Sequence, residues 1–191
     1  MKQIILNRAF FLRPTLKVAQ DLLGKYLVFN NISGKICEVE AYIGQNDKAS
    51  HASCGKTKRN EIMFKKGGFA YIYLIYGIYN CLNITTENEG FPSAVLIRAI
   101  ELPDANGPGK LCRKFGLNRS HNGFDLTTPP QVNPEKSRGI DVARGPIYIE
   151  DMEEPIGKII KTPRIGVDYA GDHAKLPWRF CLKDSKYLSK K

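Results

Sequence analysis

The segment Gly68–Asn83, GFAYIYLIYGIYNCLN, constrains this chain more than any other stretch. Two runs of aromatic and β-branched residues meet at Gly77, a pattern that reads as an antiparallel hairpin with arms over 69–76 and 79–86. An isolated hairpin is marginal in water, so this one must join a larger sheet. Its tip, Tyr76-Gly77-Ile78-Tyr79, is apolar, whereas hairpin tips are generally polar. The segment holds four of the nine tyrosines of a chain whose formal net charge is +10. Aromatic faces stack on nucleobases and positive charge attracts phosphates, so the combination points to a protein that handles a base.

The flanks supply the sheet. KICEVEAYI (35–43) alternates, with Cys37, Val39, Ala41 and Ile43 on one face and Ile36, Glu38, Glu40 and Tyr42 on the other, which reads as the solvent side. SAVLIRAIEL (93–102) is a further strong strand, stopped by Pro103; KYLVFN (25–30), GPIYIED (145–151) and PRIGVD (163–168) read as shorter ones. A turn is expected at Asn31–Gly34. TLKVAQDLL (15–23) reads as a helix capped by Thr15 and ended by Gly24, with Leu16, Ala19, Leu22 and Leu23 as its apolar face. GPGKLCRKFG (107–116) reads as a helix opened by Pro108 and closed at Gly116. Residues 44–58 and 118–138 read as loops, and RNEIMF as one helical turn. Strands outnumber helices and short turns join them, so the expected class is α+β: one mixed domain over 1–191 with a largely antiparallel sheet, flanking short helices and a protruding hairpin.

Composition excludes several alternatives. No apolar run approaches the roughly 18 residues of a membrane span. The start of the chain reads as mature protein, because Asn7, Arg8 and Arg13 break its apolar pieces and no small-residue cleavage site follows. The five cysteines, Cys37, Cys54, Cys81, Cys112 and Cys181, are odd in number and form no C-x-x-C pair, which suggests free thiols in a reducing cytosol. His51 and Cys54 make a lone H-x-x-C, too little for a metal site, and neither H-E-x-x-H nor the zinc deaminase signature is present. No G-x-G-x-x-G or phosphate-binding loop occurs.

Glu38 and Glu40 lie two apart on a strand, about 6–7 Å from one another on one face. Ordinary exposed carboxylates would look the same; Tyr42 on that face and His51 in the following loop favour chemistry. Arg98, inside an apolar strand, either snorkels from an edge or joins an ion pair, or it faces a polar cleft where it would keep a glutamate ionised. Asn83 offers an amide that could read a base edge or bond to backbone.

The runs EVEAYIGQNDKASHAS, RNEIMF, AYIYLIYGIYNCLNI, AVLIRAIE, GPGKLCRKFGLN, ARGPIYIED and PRIGVDYAGDHAKLPWRF, in that order from about Phe10 to Phe180, resemble the mammalian-type alkyladenine (3-methyladenine) DNA glycosylases. The resemblance implies a curved antiparallel sheet with the hairpin protruding from it, and no metal and no organic cofactor. It implies Glu40 as general base and Arg98 as the arginine that holds the attacking water with it. Tyr42, His51 and Tyr73 would sandwich the extruded base, with Asn83 as the amide that disfavours guanine and Ala49 as a backbone contact. Tyr76 would fill the gap left in the duplex. Tyr71 and Tyr79 remain as packing residues, and Glu38 as a structural ion pair. The long amino-terminal extension of mammalian members is lacking, as in a compact bacterial form, and Glu61 and Ile62 stand where the family has Arg and Gly. The expected partner is double-stranded DNA carrying damaged purines, bound by a monomer in the cytoplasm at the nucleoid. The rival reading is a non-catalytic damaged-DNA or RNA binding module using the same hairpin; a lyase with a Schiff-base lysine is a further one.

Overall fold

Antiparallel pairing organises the chain. The structure, a computed structural model, describes residues 4–128 and 147–190. Nine strands appear in it: β1 (Ile4–Ile5), β2 (Tyr26–Phe29), β3 (Ile32–Ile43), β4 (Ala70–Ile75), β5 (Tyr79–Thr85), β6 (Ser93–Ile100), β7 (Tyr148–Asp151), β8 (Ile159–Thr162) and β9 (Arg179–Leu182). Their order is β1-β7-β2-β3-β6-β5-β4, with β8 on β9 and β9 on β3. All these pairs are antiparallel, and the sheet curls into a half-barrel flanked by few short helices, as the α+β expectation required. The expected loop over 118–138 and strand over 145–151 fall partly on residues 129–146, outside those described.

The longest strand, β3, sets the curvature. Its first residues pair with β2, its later ones with β6 and β9, and the register slips between Ile36 and Val39. A bulge of this kind bends a strand and raises its twist. The β2–β3 turn is tighter than Asn31–Gly34: Asn30 (φ 49°) and Asn31 (φ 62°) form a two-residue connection, in the left-handed conformation that asparagine tolerates well.

Helix α1 (Arg8–Phe11) is one turn, and α2 (Thr15–Leu22) follows it. Thr15 lies inside α2 and makes no cap; its hydroxyl bonds Thr86 and Glu87. Val18, Ala19, Leu22 and Leu23 are the residues of α2 and its end that enter the core, while Leu16 is half-buried. The third helix, α3 (Pro108–Phe115), ends as expected on Gly116 at φ 72°, which receives the helix in the left-handed region. Leu111, Cys112 and Phe115 pack it onto the sheet. PRIGVD is not a strand; it is an irregular segment after β8, with Gly166 at φ 74°. Among the described residues no helix is long and apolar enough to cross a membrane.

Candidate active site

A cavity of about 520 Å³ opens between the hairpin, the loop after β3, the start of α3 and the segment 165–169. Tyr42, Ala49, His51, Tyr73, Tyr76, Asn83 and Arg98, seven of the eight residues singled out in the sequence, line it. The eighth, Glu40, is fully buried behind Tyr42 and Arg98.

The aromatic wall comes from two elements. β4 contributes Tyr71 and Tyr73, whose ring centroids are 5.5 Å apart. The 3₁₀ turn His51–Cys54 brings His51 edge-on to Tyr73 at 4.4 Å, and its Nδ1 lies 2.9 Å from the Tyr71 hydroxyl. Burial, and then the nearby Arg59 charge, lower the His51 pKa, so this imidazole is neutral near pH 7. Burial raises the Tyr71 hydroxyl, which therefore keeps its proton. Tyr71 is thus more than packing, because it fixes the His51 ring. Tyr79 also lines the cavity and packs against Gly109 of α3. The Asn83 amide nitrogen donates to the carbonyls of Tyr71 (3.1 Å) and Cys81 (3.4 Å), so the backbone bond and the place in the cavity wall coexist.

Behind the wall lies a carboxylate–guanidinium cluster. The face of β3 expected to meet solvent is buried, and Glu38 and Glu40 are both inaccessible. The alternation was legible, but the segments that cover this face, 163–167 and 185–190, come from far along the chain. Arg98 sits on β6, between β3 and β5, so the edge-strand option for it is overturned. Its Nε donates to Glu38 Oε1 (3.0 Å) and its NH1 to Glu40 Oε2 (3.2 Å). Glu40 Oε2 also accepts from the Tyr42 hydroxyl (2.8 Å), and Oε1 from the Ile165 amide (2.8 Å). Burial, reinforced by the Glu40 charge, holds the Tyr42 pKa well above that of a free phenol, which keeps it a donor. Burial alone would weaken the charge of Arg98, but Glu40 and Glu38 outweigh it and raise its pKa. Glu38 makes the expected ion pair, with Arg98 and also with Arg179 Nε (2.8 Å).

Sequence reasoning missed Arg164 and Asp47. Arg164 binds both Asp47 oxygens through NH1 (2.5 Å) and NH2 (2.9 Å), and donates to the Ala41 and His173 carbonyls. Its guanidinium lies 4.8 Å from the Tyr42 ring centroid and 5.0 Å from that of Trp178. Asp47 in turn accepts from the amides of Ile43 and Ala49, which shapes the loop carrying Ala49 and His51. The bond from Ala49 N, two residues on, is an Asx-turn signature visible in principle; nothing local marks Arg164. Tyr169, 74% exposed at the cavity mouth with its hydroxyl near the Ala49 carbonyl, was also missed.

The thiol of Cys54 donates to the His51 carbonyl at 3.1 Å, so the H-x-x-C pair closes a turn. Among the described residues no group of three or more His, Cys, Asp or Glu side chains is placed to hold a metal ion.

An aromatic-walled cavity above a buried carboxylate, beside an exposed apolar tip on a basic molecule, has the chemistry of a site for a flat, electron-poor ring. The comparisons specify it. The family model described as methylpurine-DNA glycosylase (MPG) matches residues 9–105 and 103–186, and the chain belongs to this family. A relative from Methanocella arvoryzae is 46% identical, over 98% of this chain and 96% of its own length. One from Sodalis glossinidius is 48% identical, over 94% and 98%, and one from Clostridium novyi 41%, over 97% and 98%. Each bears the name "Putative 3-methyladenine DNA glycosylase".

Proposed function

We propose that this DNA base-excision repair glycosylase takes alkylated or deaminated purines out of duplex DNA and hydrolyses their N-glycosidic bond, leaving an abasic site. The observation that carries the residue assignments is the direct contact of Arg98, in the cavity wall, with Glu40 behind it.

Extruding a base costs a few kcal/mol in lost stacking and pairing. Tyr76, 84% exposed at the hairpin tip, enters the vacated space and offsets part of that cost. The base is received by Tyr42, His51 and Tyr73, with stacking worth about 1–3 kcal/mol per aromatic contact. An alkylated purine is cationic and electron-poor, so aromatic faces favour it over the neutral parent base. Asn83, pinned by its backbone bonds, presents a fixed polar group that disfavours normal guanine, and Ala49 offers backbone to the base edge.

Glu40 is the general base. Oε1 carries a single donor, the Ile165 amide, and retains a lone pair for a water proton. Arg98 and Tyr42 hold the other oxygen and fix the carboxylate plane. The water adds to the sugar C1′ as the base departs with the bonding pair, and the carboxylate charge stabilises the oxocarbenium-like centre. An alkylated base leaves readily, so no strong acid is required for it. The chain works as a single glycosylase domain and a monomer, without metal or organic cofactor, at the bacterial nucleoid.

The test is release of base from duplexes bearing 3-methyladenine, 1,N6-ethenoadenine or hypoxanthine, followed by alkaline cleavage of abasic sites. Wild-type protein is expected to cut at least one of them, and Glu40→Gln none. Binding without release would favour a non-catalytic module; excision that survives Glu40→Gln would remove Glu40 from its role.

A further inference from the structure

We infer that Ser189 is a positioning residue for base excision, acting through Glu38 to set the guanidinium of Arg98 against Glu40. The inference rests on the roles proposed above for Glu40 and Arg98. It comes from a chain of contacts that those roles do not use. The Ser189 amide donates to Glu38 Oε2 at 2.6 Å and its hydroxyl to Glu38 Oε1 at 2.7 Å. Glu38 Oε1 accepts at the same time from Arg98 Nε and Arg179 Nε. Both Nε and NH2 of Arg98 lie 3.4 Å from the Ser189 oxygen. Arg179 ties the segment down from the other side, its NH2 donating to the Lys190 carbonyl at 2.8 Å and its NH1 to Thr162.

The geometry has a consequence for Arg98. A guanidinium is a rigid planar fork, so fixing Nε fixes where NH1 points. Glu38 fixes Nε; NH1 is the group that reaches Glu40. Glu38 does this as a carboxylate, and Ser189 supplies two of its four donors, the hydroxyl to Oε1 and the amide as the donor to Oε2. Burial pushes the Glu38 carboxyl up, but Arg179 and the two Ser189 bonds outweigh it and hold it below the ordinary range. The other groups facing it are Arg98 from β6, Cys181 from β9, and Cys37 and Glu40 on its own strand; burial keeps Cys37 and Cys181 as neutral thiols, at about 12 and about 11.

Removing the hydroxyl weakens the ionised form of Glu38, so its pKa rises and Arg98 loosens at a higher pH than in the wild type. Ser189→Ala is expected to lower the single-turnover excision rate about tenfold at saturating enzyme, the scale of a small displacement near reacting atoms. The enzyme concentration for half-saturation should not change, and the acid limb of the rate profile should move to higher pH. Ser189→Thr, which keeps the hydroxyl, should restore rate and profile. Glu38→Gln, with folding of every variant checked by thermal unfolding, should lower the rate likewise and abolish the Ser189-dependent part of the acid limb. A Ser189→Ala protein with wild-type rate and profile overturns the inference. So does a loss confined to DNA affinity, or one that Ser189→Thr fails to restore. Glu40→Gln separates the two levels: if it keeps the wild-type rate, the reading of the base itself fails; if it is inactive while Ser189→Ala is normal, only the role of Ser189 falls.

Discussion

Two glutamates on one strand, Glu38 and Glu40, are equally buried but held differently. Glu38 is bound by two arginines and a serine, whereas Glu40 is bound by one arginine, the Tyr42 hydroxyl and the Ile165 amide. Around them Arg164 and Asp47 form an ion pair with almost no solvent access on either side chain. Removing one partner of such a pair leaves a buried charge, which typically costs about 3–5 kcal/mol. Arg164→Met should therefore lower the unfolding free energy read from urea titration by an amount of that order, and excision should fall because Tyr42 and the 44–50 loop lose their brace. His51 gives a pH signature. Its folded-state pKa lies below the ordinary value of about 6.5, so below that pH the unfolded chain takes up a proton that the folded chain refuses. Stability should fall as pH drops through this window and level off beneath the folded pKa. His51→Gln should remove that component, seen by comparing urea midpoints at about pH 5.5 and about pH 7.5.

At the scale of elements, the hairpin β4–β5 separates two sets of side chains by register. Its arms pair Tyr71 with Asn83 and Tyr73 with Cys81, directing rings and amide to the cavity. Its tip projects Tyr76 and Ile78, 84% and 67% exposed. Tyr76 adopts φ 53° and Gly77 φ 71°, two successive left-handed residues. A bulky residue held there is strained, and strain of this kind gathers at functional sites. Tyr76→Ala should change unfolding free energy by no more than about 0.5 kcal/mol, as at other exposed positions, while base excision from duplex DNA drops. The element reading also shows where periodicity misleads. PRIGVD has the look of a strand, but Arg164 turns inward to Asp47 and Gly166 breaks the extended run; the strand here is Ile159–Thr162, which pairs with β9 on the side away from β3.

The whole molecule adds charge and curvature. A formal net charge of +10 predicts that affinity for lesion-bearing duplex falls as salt rises, with a log–log slope of about −0.9 per phosphate neutralised. Titrations at several salt concentrations check this; an affinity independent of salt would detach the charge from DNA binding. Curvature does what no segment does alone. The bulge in β3 bends the strand where Glu38 sits, and the segments 163–167 and 185–190 close over the resulting carboxylate face. The cavity lies where the curved sheet, the hairpin and the start of α3 converge.

The sequence by itself determined the antiparallel α+β plan, the hairpin and its unusual tip, and seven of the residues that line the cavity, because periodicity, turn chemistry and motif order are local signals. It left Arg98 open between edge, ion pair and cleft, and placed the Glu38–Glu40 face in solvent, because burial depends on what packs from elsewhere. Only the tertiary structure decided that Arg98 is central, that Arg164 and Asp47 brace Tyr42, and that Ser189 reaches Glu38 across 151 residues of chain. The physical reason is the same in each case. A buried charge must find its partners wherever the fold brings them, and a single side chain carries no local mark of a partner so far away.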